Sequence, residues 1–298
     1  MVDSTTNSQL IAEASLLLVS AGAASPLADA RLLLAHLLDV APGQLLFTPA
    51  PTASQQAAYL NLLEQRASGV PVQHLTGQAW FRHVELSVGP GVFIPRPETE
   101  SVAGAAIDEA SRLTRTGVAN PLVVDLGTGS GAIAKAIADE VPAARVVAVE
   151  RDPGALDYAK RNLAGTGVTL LWADLAEMPA SVGDLGPDGS VHVLVSNPPY
   201  LPTGRRGELS VDVRDHDPHA ALFGGADGLD VIRVLEGVAR RLLRDQGLVV
   251  VEHDDSHEQT APELFESVGC WFDVTDHRDL TGRPRWLTAR LRRTALRG

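Results

Sequence analysis

The sequence predicts an α/β protein: a parallel sheet covered by helices on both faces, preceded by a small helical bundle. Three observations carry this. From residue 121 onward, short apolar runs alternate with helix-period segments, the pattern of a parallel sheet buried on both sides. A glycine-rich turn, "DLGTGSG" (125–131), joins the first run to the first of those helices. Ahead of it, the first seventy residues repeat Leu and Ala at helical spacing.

The elements follow in order. Helices are expected over 8–21, 27–40 and 53–67, separated by "GAASP" and "APGQ…TPAP". Pro26 suits the first position of a helix. With few ionisable groups, this bundle (1–75) reads as a recognition or packing module. Residues 76–97 contain "AWFRHVELSVGPGVFIPRP", whose aromatic and β-branched residues around Gly-Pro-Gly predict a connecting β-hairpin. The third region, 98–298, opens on a helix over 98–113. Strands are then expected at 122–127, 145–150, 168–173, 191–197 and 247–253. Helices fall between them near 131–140, 154–164, 228–243 and 257–267. Runs at 271–277 and 285–291 suit an antiparallel hairpin at the sheet edge.

Composition narrows the function classes. Of 298 residues, 45% are hydrophobic and 21% charged, as in soluble globular chains, and the net charge is −12. Such an acidic chain repels phosphate backbones and argues against a general nucleic-acid binder. Arg283, Arg285, Arg290, Arg292, Arg293 and Arg297 form a basic C-terminal stretch, read as solvated. Cys270 is the single cysteine, which excludes an intrachain disulfide and fits a reducing compartment. "SLLLVSAGAAS" (15–25) lacks the positive charge that precedes a signal-peptide core, and no run reaches membrane-spanning length. A cytoplasmic location is expected.

Gly127, Gly129 and Gly131 lie between a strand and a helix, where glycine permits a tight turn close to a ligand. The following strand ends in Glu150, at the spacing of a ribose-binding acid. The loop is G-x-G-x-G with Ala132 next, not the G-x-G-x-x-G of a dinucleotide site. Asp125, Glu150 and Asp174 end three successive strands. Asp125 is placed to face a charged amino group, Glu150 to hold the ribose hydroxyls, and Asp174 to accept from an adenine amine while Leu175 packs on the base. Three acids suit the cationic nucleoside S-adenosylmethionine better than a pyrophosphate.

The strand over 191–197 ends in "NPPY", Asn197 to Tyr200. A planar amide NH2 is a poor nucleophile because its lone pair is delocalised. The Asn197 side-chain oxygen and the Pro198 carbonyl make two acceptors for its two hydrogens. Pro198 and Pro199 restrict the backbone, and Tyr200 offers a flat face. Positioning of this kind lowers a barrier by several kcal/mol without a strong base. Ser196 has no His-acid pair beside it in sequence, so it is not read as a nucleophile. His216 and His219 do not make a three-ligand set, so no metal is expected.

Together with "FIPRPETE" (93–100), "DVRDHDPHAAL" (212–222) and "GGADGLD" (224–230), these motifs make the chain resemble the PrmC/HemK family of protein-(glutamine-N5) methyltransferases along nearly its whole length. The resemblance implies a class I, Rossmann-like methyltransferase fold and methylation of the Gly-Gly-Gln glutamine of peptide-chain release factors. It implies cofactor contacts from Asp125, Gly127, Thr128, Gly129, Ser130, Gly131, Glu150, Asp174, Leu175 and Asn197. It assigns the glutamine amide to Asn197–Tyr200, a substrate-side wall to Ile94, Pro95, Arg96 and Pro97, and release-factor docking to the bundle. Two departures stand out: Asp254 occupies an expected glycine, and Asp215-His216 replaces an aromatic-acid pair. NPPY also occurs in adenine-amino methyltransferases of DNA or RNA, the rival enzyme, while a non-catalytic cofactor-binding scaffold has no need of the amide clamp.

Overall fold

The computed structural model describes residues 6–177 and 187–293. The chain packs as two units. The first comprises residues up to Gln78, with Val88–Pro90 and Ser210–His216; the second holds the remainder.

In the first unit, α1 (Asn7–Ser20), α2 (Pro26–Leu38), α3 (Ala53–Ala67) and α4 (Val72–Thr76) form the bundle. Thr6 with Gln9 and Thr52 with Gln55 make capping boxes that satisfy the first amides of α1 and α3. Leu18, Leu33, Leu34, Tyr59 and Leu63 fill its core. The Tyr59 hydroxyl donates to the Ala30 carbonyl (2.8 Å), so its burial leaves no orphaned polar atom. Buried Arg66 pairs with buried Asp29 at 2.7 Å and reaches Asp212 at 3.7 Å.

The second unit begins at Ala79, within the hairpin of β1 (Gln78–Phe81) and β2 (Val84–Ser87), and continues into α5 (Thr99–Arg115). The alternating part follows: β3 (Leu122–Leu126), α6 (Ala132–Glu140), β4 (Arg145–Glu150), α7 (Pro153–Leu163), β5 (Thr169–Trp172) and β6 (Val191–Ser196). Two short helices, α8 (Val211–His216) and α9 (His219–Leu222), occupy the stretch read only as a motif, with α8 assigned to the first unit. The chain closes with α10 (Asp230–Leu242), β7 (Leu243–Glu252), α11 (Thr260–Glu266), β8 (Trp271–Arg278) and β9 (Pro284–Leu291). β7 starts directly at the end of α10, four residues earlier than the hydrophobic run suggests, because Leu243 pairs with Val191 across a bulge.

Among the described residues the sheet has seven strands in the order β5-β4-β3-β6-β7-β9-β8. The first five are parallel; β9 and β8 add an antiparallel edge. Leu122, Val124 and Leu126 of β3 face the cluster built on α10 and α11. The residues between them face the other side, where Asp125 bonds α6. Burial on both faces explains why the run is apolar throughout. Several arginines expected to be solvated are structural: Arg285 pairs with Asp279, Arg290 with Glu109, and Arg293 donates to the Leu243 carbonyl (2.7 Å). Arg297 lies outside the described residues. No helix among them is long and apolar enough to cross a membrane.

Phe265 of α11 is fully buried and meets Trp271 edge-on at 5.2 Å, while the Trp271 indole donates to Glu236 (2.8 Å). Phe265→Ala should therefore cost about 3–5 kcal/mol in denaturant unfolding; a loss below about 1 kcal/mol would contradict a packed contact there.

Candidate active site

In an open α/β sheet, ligands bind beyond the carboxyl ends of the strands where the winding reverses. Here the chain winds outward through β4 and β5, then returns to β6 on the opposite side of β3. The register sets Asp125 against Val195. Two residues further along, Gly127 and Asn197 both line a cavity of about 300 Å³. Ser196 closes the two strand ends: its buried hydroxyl donates to the Leu126 carbonyl at 2.6 Å.

The glycine loop turns with positive φ at Gly127, Gly129 and Gly131, a conformation costly for residues with a Cβ. Gly131 has a second constraint, because a Cβ there would sit 3.1–3.3 Å from the Leu163 side chain. Gly127, Thr128, Gly129 and Ser130 line the cavity; Gly131 does not. Asn162 of α7, which sequence reading passed over, fastens the loop. Its amide nitrogen donates to the carbonyls of Ser130 (2.8 Å) and Ser87 (2.9 Å), and its oxygen accepts from the Ser87 N–H (2.7 Å).

Asp125 stands apart from its expected role. It is wholly buried and off the cavity wall. Its Oδ2 accepts from the Thr128 hydroxyl (2.5 Å) and from the Ala134 N–H (3.1 Å). Ala134 is the third residue of α6, so Asp125 caps that helix from a neighbouring strand. Its Oδ1 is buried without a donor among the described residues. Burial pushes its pKa up to about 7 despite the bonds from Thr128 and Ala134.

Glu150 lies on the cavity wall with both oxygens engaged. Oε2 accepts from the Gly129 N–H (2.8 Å); Oε1 accepts from the N–H groups of Arg151 and Asp152 (2.8 Å each). Burial raises its pKa against these bonds. A carboxylate has about four lone-pair sites, so acceptor capacity remains for a hydroxyl. Asp174 and Leu175 line the same cavity. The Ala176 N–H and the Arg151 guanidinium keep Asp174 ionised, below its ordinary range. The wall is otherwise built from small apolar and backbone groups, including Ala155, Ala173 and Ile133. Arg151 also lines the cavity, its guanidinium paired with Asp174 at 3.0 Å.

On the opposite wall stand Phe93, Pro95, Thr99, Asn197 and Pro199. Of the expected substrate-side residues, only Pro95 lines the cavity. Ile94 is in the core and Pro97 is exposed. Arg96 stacks on Phe93 (5.0 Å) and pairs with buried Asp217. Pro198 is buried, and Tyr200 is turned toward the core, its hydroxyl donating to Glu252 (3.0 Å). Thr99 is a residue the motif contained but its chemistry did not single out: it accepts from the Asn197 amide nitrogen at 3.1 Å.

The "GGADGLD" turn holds the NPPY backbone from outside. A Cβ on Gly224 would lie 2.6 Å from the Pro199 carbonyl, and one on Gly228 2.3 Å from that of Tyr200. The Leu201 N–H donates to the Leu222 carbonyl, and the Gly224 N–H returns a bond to that of Leu201. Asp254, where glycine was expected, has φ −69° and so needs no glycine. Its Oδ1 accepts from Arg205 (2.7 Å) and from Ser256, which hold it ionised although burial opposes this. His216 instead meets His74 edge-on within the first unit, and His219 meets Phe223.

The family model of the PrmC N-terminal domain matches residues 9–77, and that of the methyltransferase small domain matches residues 100–211. A release factor glutamine methyltransferase of Mycolicibacterium smegmatis is 50% identical over 272 residues, 91% of this chain and 93% of its own. One from Streptomyces coelicolor is 48% identical over 281 residues, 94% of this chain and 96% of its own. A 4-amino-L-phenylalanine/4-methylamino-L-phenylalanine methyltransferase of Streptomyces pristinaespiralis is 38% identical over 247 residues, 82% of this chain and 81% of its own.

Two measurements check the local geometry. Asp125 titrates near 7 when folded and near 3.9 when unfolded, so the native state holds a proton that the unfolded chain releases. Stability from this group falls as pH rises between those values. Asp125→Asn keeps an acceptor for Thr128 and Ala134, and its thermal midpoint should gain on the parent between pH 5 and 8. A difference independent of pH would refute the buried neutral acid. Gly228→Ala should lower the melting midpoint and abolish cofactor binding in calorimetry; a variant that melts and binds normally would remove the turn from the support of NPPY.

Proposed function

The chain belongs to the release factor glutamine methyltransferase family, and from that premise we propose that it methylates the N5 nitrogen of the Gly-Gly-Gln glutamine of peptide-chain release factors. The catalytic unit has the class I methyltransferase fold. The observation that carries the reading is the single cavity lined by Gly129, Glu150, Asp174 and Asn197. It joins a nucleoside-binding wall to an amide-gripping one.

When bound, S-adenosylmethionine supplies an electrophilic methyl group. The chain's own residues do the rest. The amides and small side chains of residues 127–130 hold the amino-acid portion, Glu150 accepts from the ribose, and Asp174 accepts from the adenine amine with Leu175 against the base. Asn197 Oδ1 and the Pro198 carbonyl accept the two hydrogens of the glutamine amide. With both hydrogens held, the nitrogen is fixed in place and its lone pair is drawn out of conjugation. No base is needed, because the proton becomes acidic once the nitrogen carries a fourth bond. Pro199 and Phe93 supply apolar walls that exclude water. The bundle over 1–75 is assigned to docking the release factor, the hairpin over 76–97 to linking, and 98–298 to catalysis. A cytoplasmic location suits this substrate and the lone cysteine.

The decisive test incubates labelled S-adenosylmethionine with purified release factor and maps the modified residue by mass spectrometry. Duplex DNA and 4-amino-L-phenylalanine serve as competing acceptors. Label on the glutamine alone supports the reading; label on DNA or on the free amino acid overturns it. Asn197→Ala should reduce transfer at least roughly a hundredfold, the scale of losing a preorganised polar contact, while cofactor affinity stays within about twofold. Glu150→Ala should instead weaken cofactor binding by about tenfold or more in calorimetry. Unchanged affinity would exclude Glu150 from the nucleoside site.

A further inference from the structure

We propose that Arg96 and Asp217 are positioning residues: their ion pair clasps two walls of the cavity together and holds the Phe93 ring in place beside the acceptor site. The inference rests on the reading above and gives the arginine of the 93–100 motif a role other than touching substrate.

Two segments outside the sheet close the cavity. The stretch ahead of α5 contributes Gly91, Phe93, Pro95 and Thr99; the stretch around α9 contributes Pro218, Ala220 and Ala221. Among the described residues, no backbone hydrogen bond joins 91–98 to 217–222. A side-chain pair does join them. Arg96 follows Pro95 and Asp217 precedes Pro218, so each partner stands one residue away from a cavity-lining proline. The Arg96 guanidinium donates to Asp217 Oδ2 across 121 residues of chain. The Asp217 side chain is 1% exposed, where a charge is costly unless paired. Pro218 holds its own φ at −61° and narrows the backbone choices of Asp217. The acid is thus a rigid anchor, and the arginine is the arm that reaches it.

The same arm settles Phe93. Val92 and Ile94 on either side are buried in the core, so Phe93 turns the other way, onto the cavity, where it is only half-buried. The Arg96 guanidinium carbon lies 5.0 Å from the centre of its ring, within cation–π range. A planar guanidinium can stack on a ring with its face while its edge pairs with a carboxylate. Anchored by Asp217, it holds the ring on the wall that also carries Asn197. Without the anchor the ring is free to swing and to admit water beside the acceptor nitrogen.

The test uses Arg96→Met, which keeps the length of the side chain, and the double variant Arg96→Met with Asp217→Asn, which leaves no unpaired buried charge. Arg96→Met should melt below the parent. The double variant should melt near it, because removing both charges spares the fold. In both, kcat on release factor should fall roughly ten- to hundredfold, the scale of a small misplacement around the reacting group, while S-adenosylmethionine affinity in calorimetry holds. A purely structural pair predicts parent-like melting together with parent-like kcat in the double variant. A second readout needs no substrate. The sequence has six phenylalanines, so fluorophenylalanine labelling gives few 19F signals, and Phe93→Leu identifies the relevant one. That signal should shift in the double variant, and also in Asp217→Ala, which leaves the arginine but removes its anchor. A double variant as fast as the parent, or a Phe93 signal unmoved in Asp217→Ala, would overturn the inference. If the parent enzyme leaves release factor unlabelled, the functional reading falls, while the Phe93 signal still decides the positioning role.

Discussion

The parallel pairing of β3 with β6 is the interaction on which the site depends. The paired residues are 70 apart in sequence, yet the register sets Val123, Val124 and Asp125 against Val193, Leu194 and Val195. Everything at the cavity is reached by stepping off the ends of this pair. One strand runs into the glycine loop, the other into NPPY, and the Ser196 hydroxyl on the Leu126 carbonyl fastens them together. A slip of one residue would turn every side chain to the opposite face of the sheet. It would expose Asp125 to the α10 side and move Asn197 off the cavity.

Buried acids do much of the holding. Asp125 caps α6 and ties Thr128, and Glu252 accepts from the Tyr200 hydroxyl. Both are pushed up to about 7 by burial, the signature of groups held where charge is costly. Neither belongs to the acceptor chemistry directly. Their cost is tolerated because each sets the direction of hydrogen bonds that a short apolar residue leaves undetermined. Glu150 contrasts with them: it is buried too, but three backbone N–H groups meet it on the cavity wall.

Glycines divide into two kinds around the site. Those of the loop over 127–131 are required by backbone conformation, and Gly131 also by the Leu163 side chain. Gly224 and Gly228 are required by the carbonyls of Pro199 and Tyr200 that press on them. The second kind explains why a turn nearly thirty residues beyond NPPY accompanies it as a motif.

Periodicity and punctuation in the sequence determined the element types and most of their limits. β-strands buried on both faces leave uninterrupted apolar runs, and helices leave a 3.6-residue repeat, so each is written locally. The glycine loop, Glu150, Asp174–Leu175 and Asn197 were legible for the same reason, since each sits at the end of a recognisable strand. Tertiary structure alone decided that Asp125 turns inward to α6, that Tyr200 points at Glu252, and that Ile94 and Pro97 leave the cavity to Phe93 and Pro95. It also brought Thr99 to Asn197 and Asn162 to Ser130, across 98 and 32 residues of chain. Such partners are chosen by strand order and by the need to satisfy every buried polar atom, and neither quantity is encoded within a window of neighbouring residues.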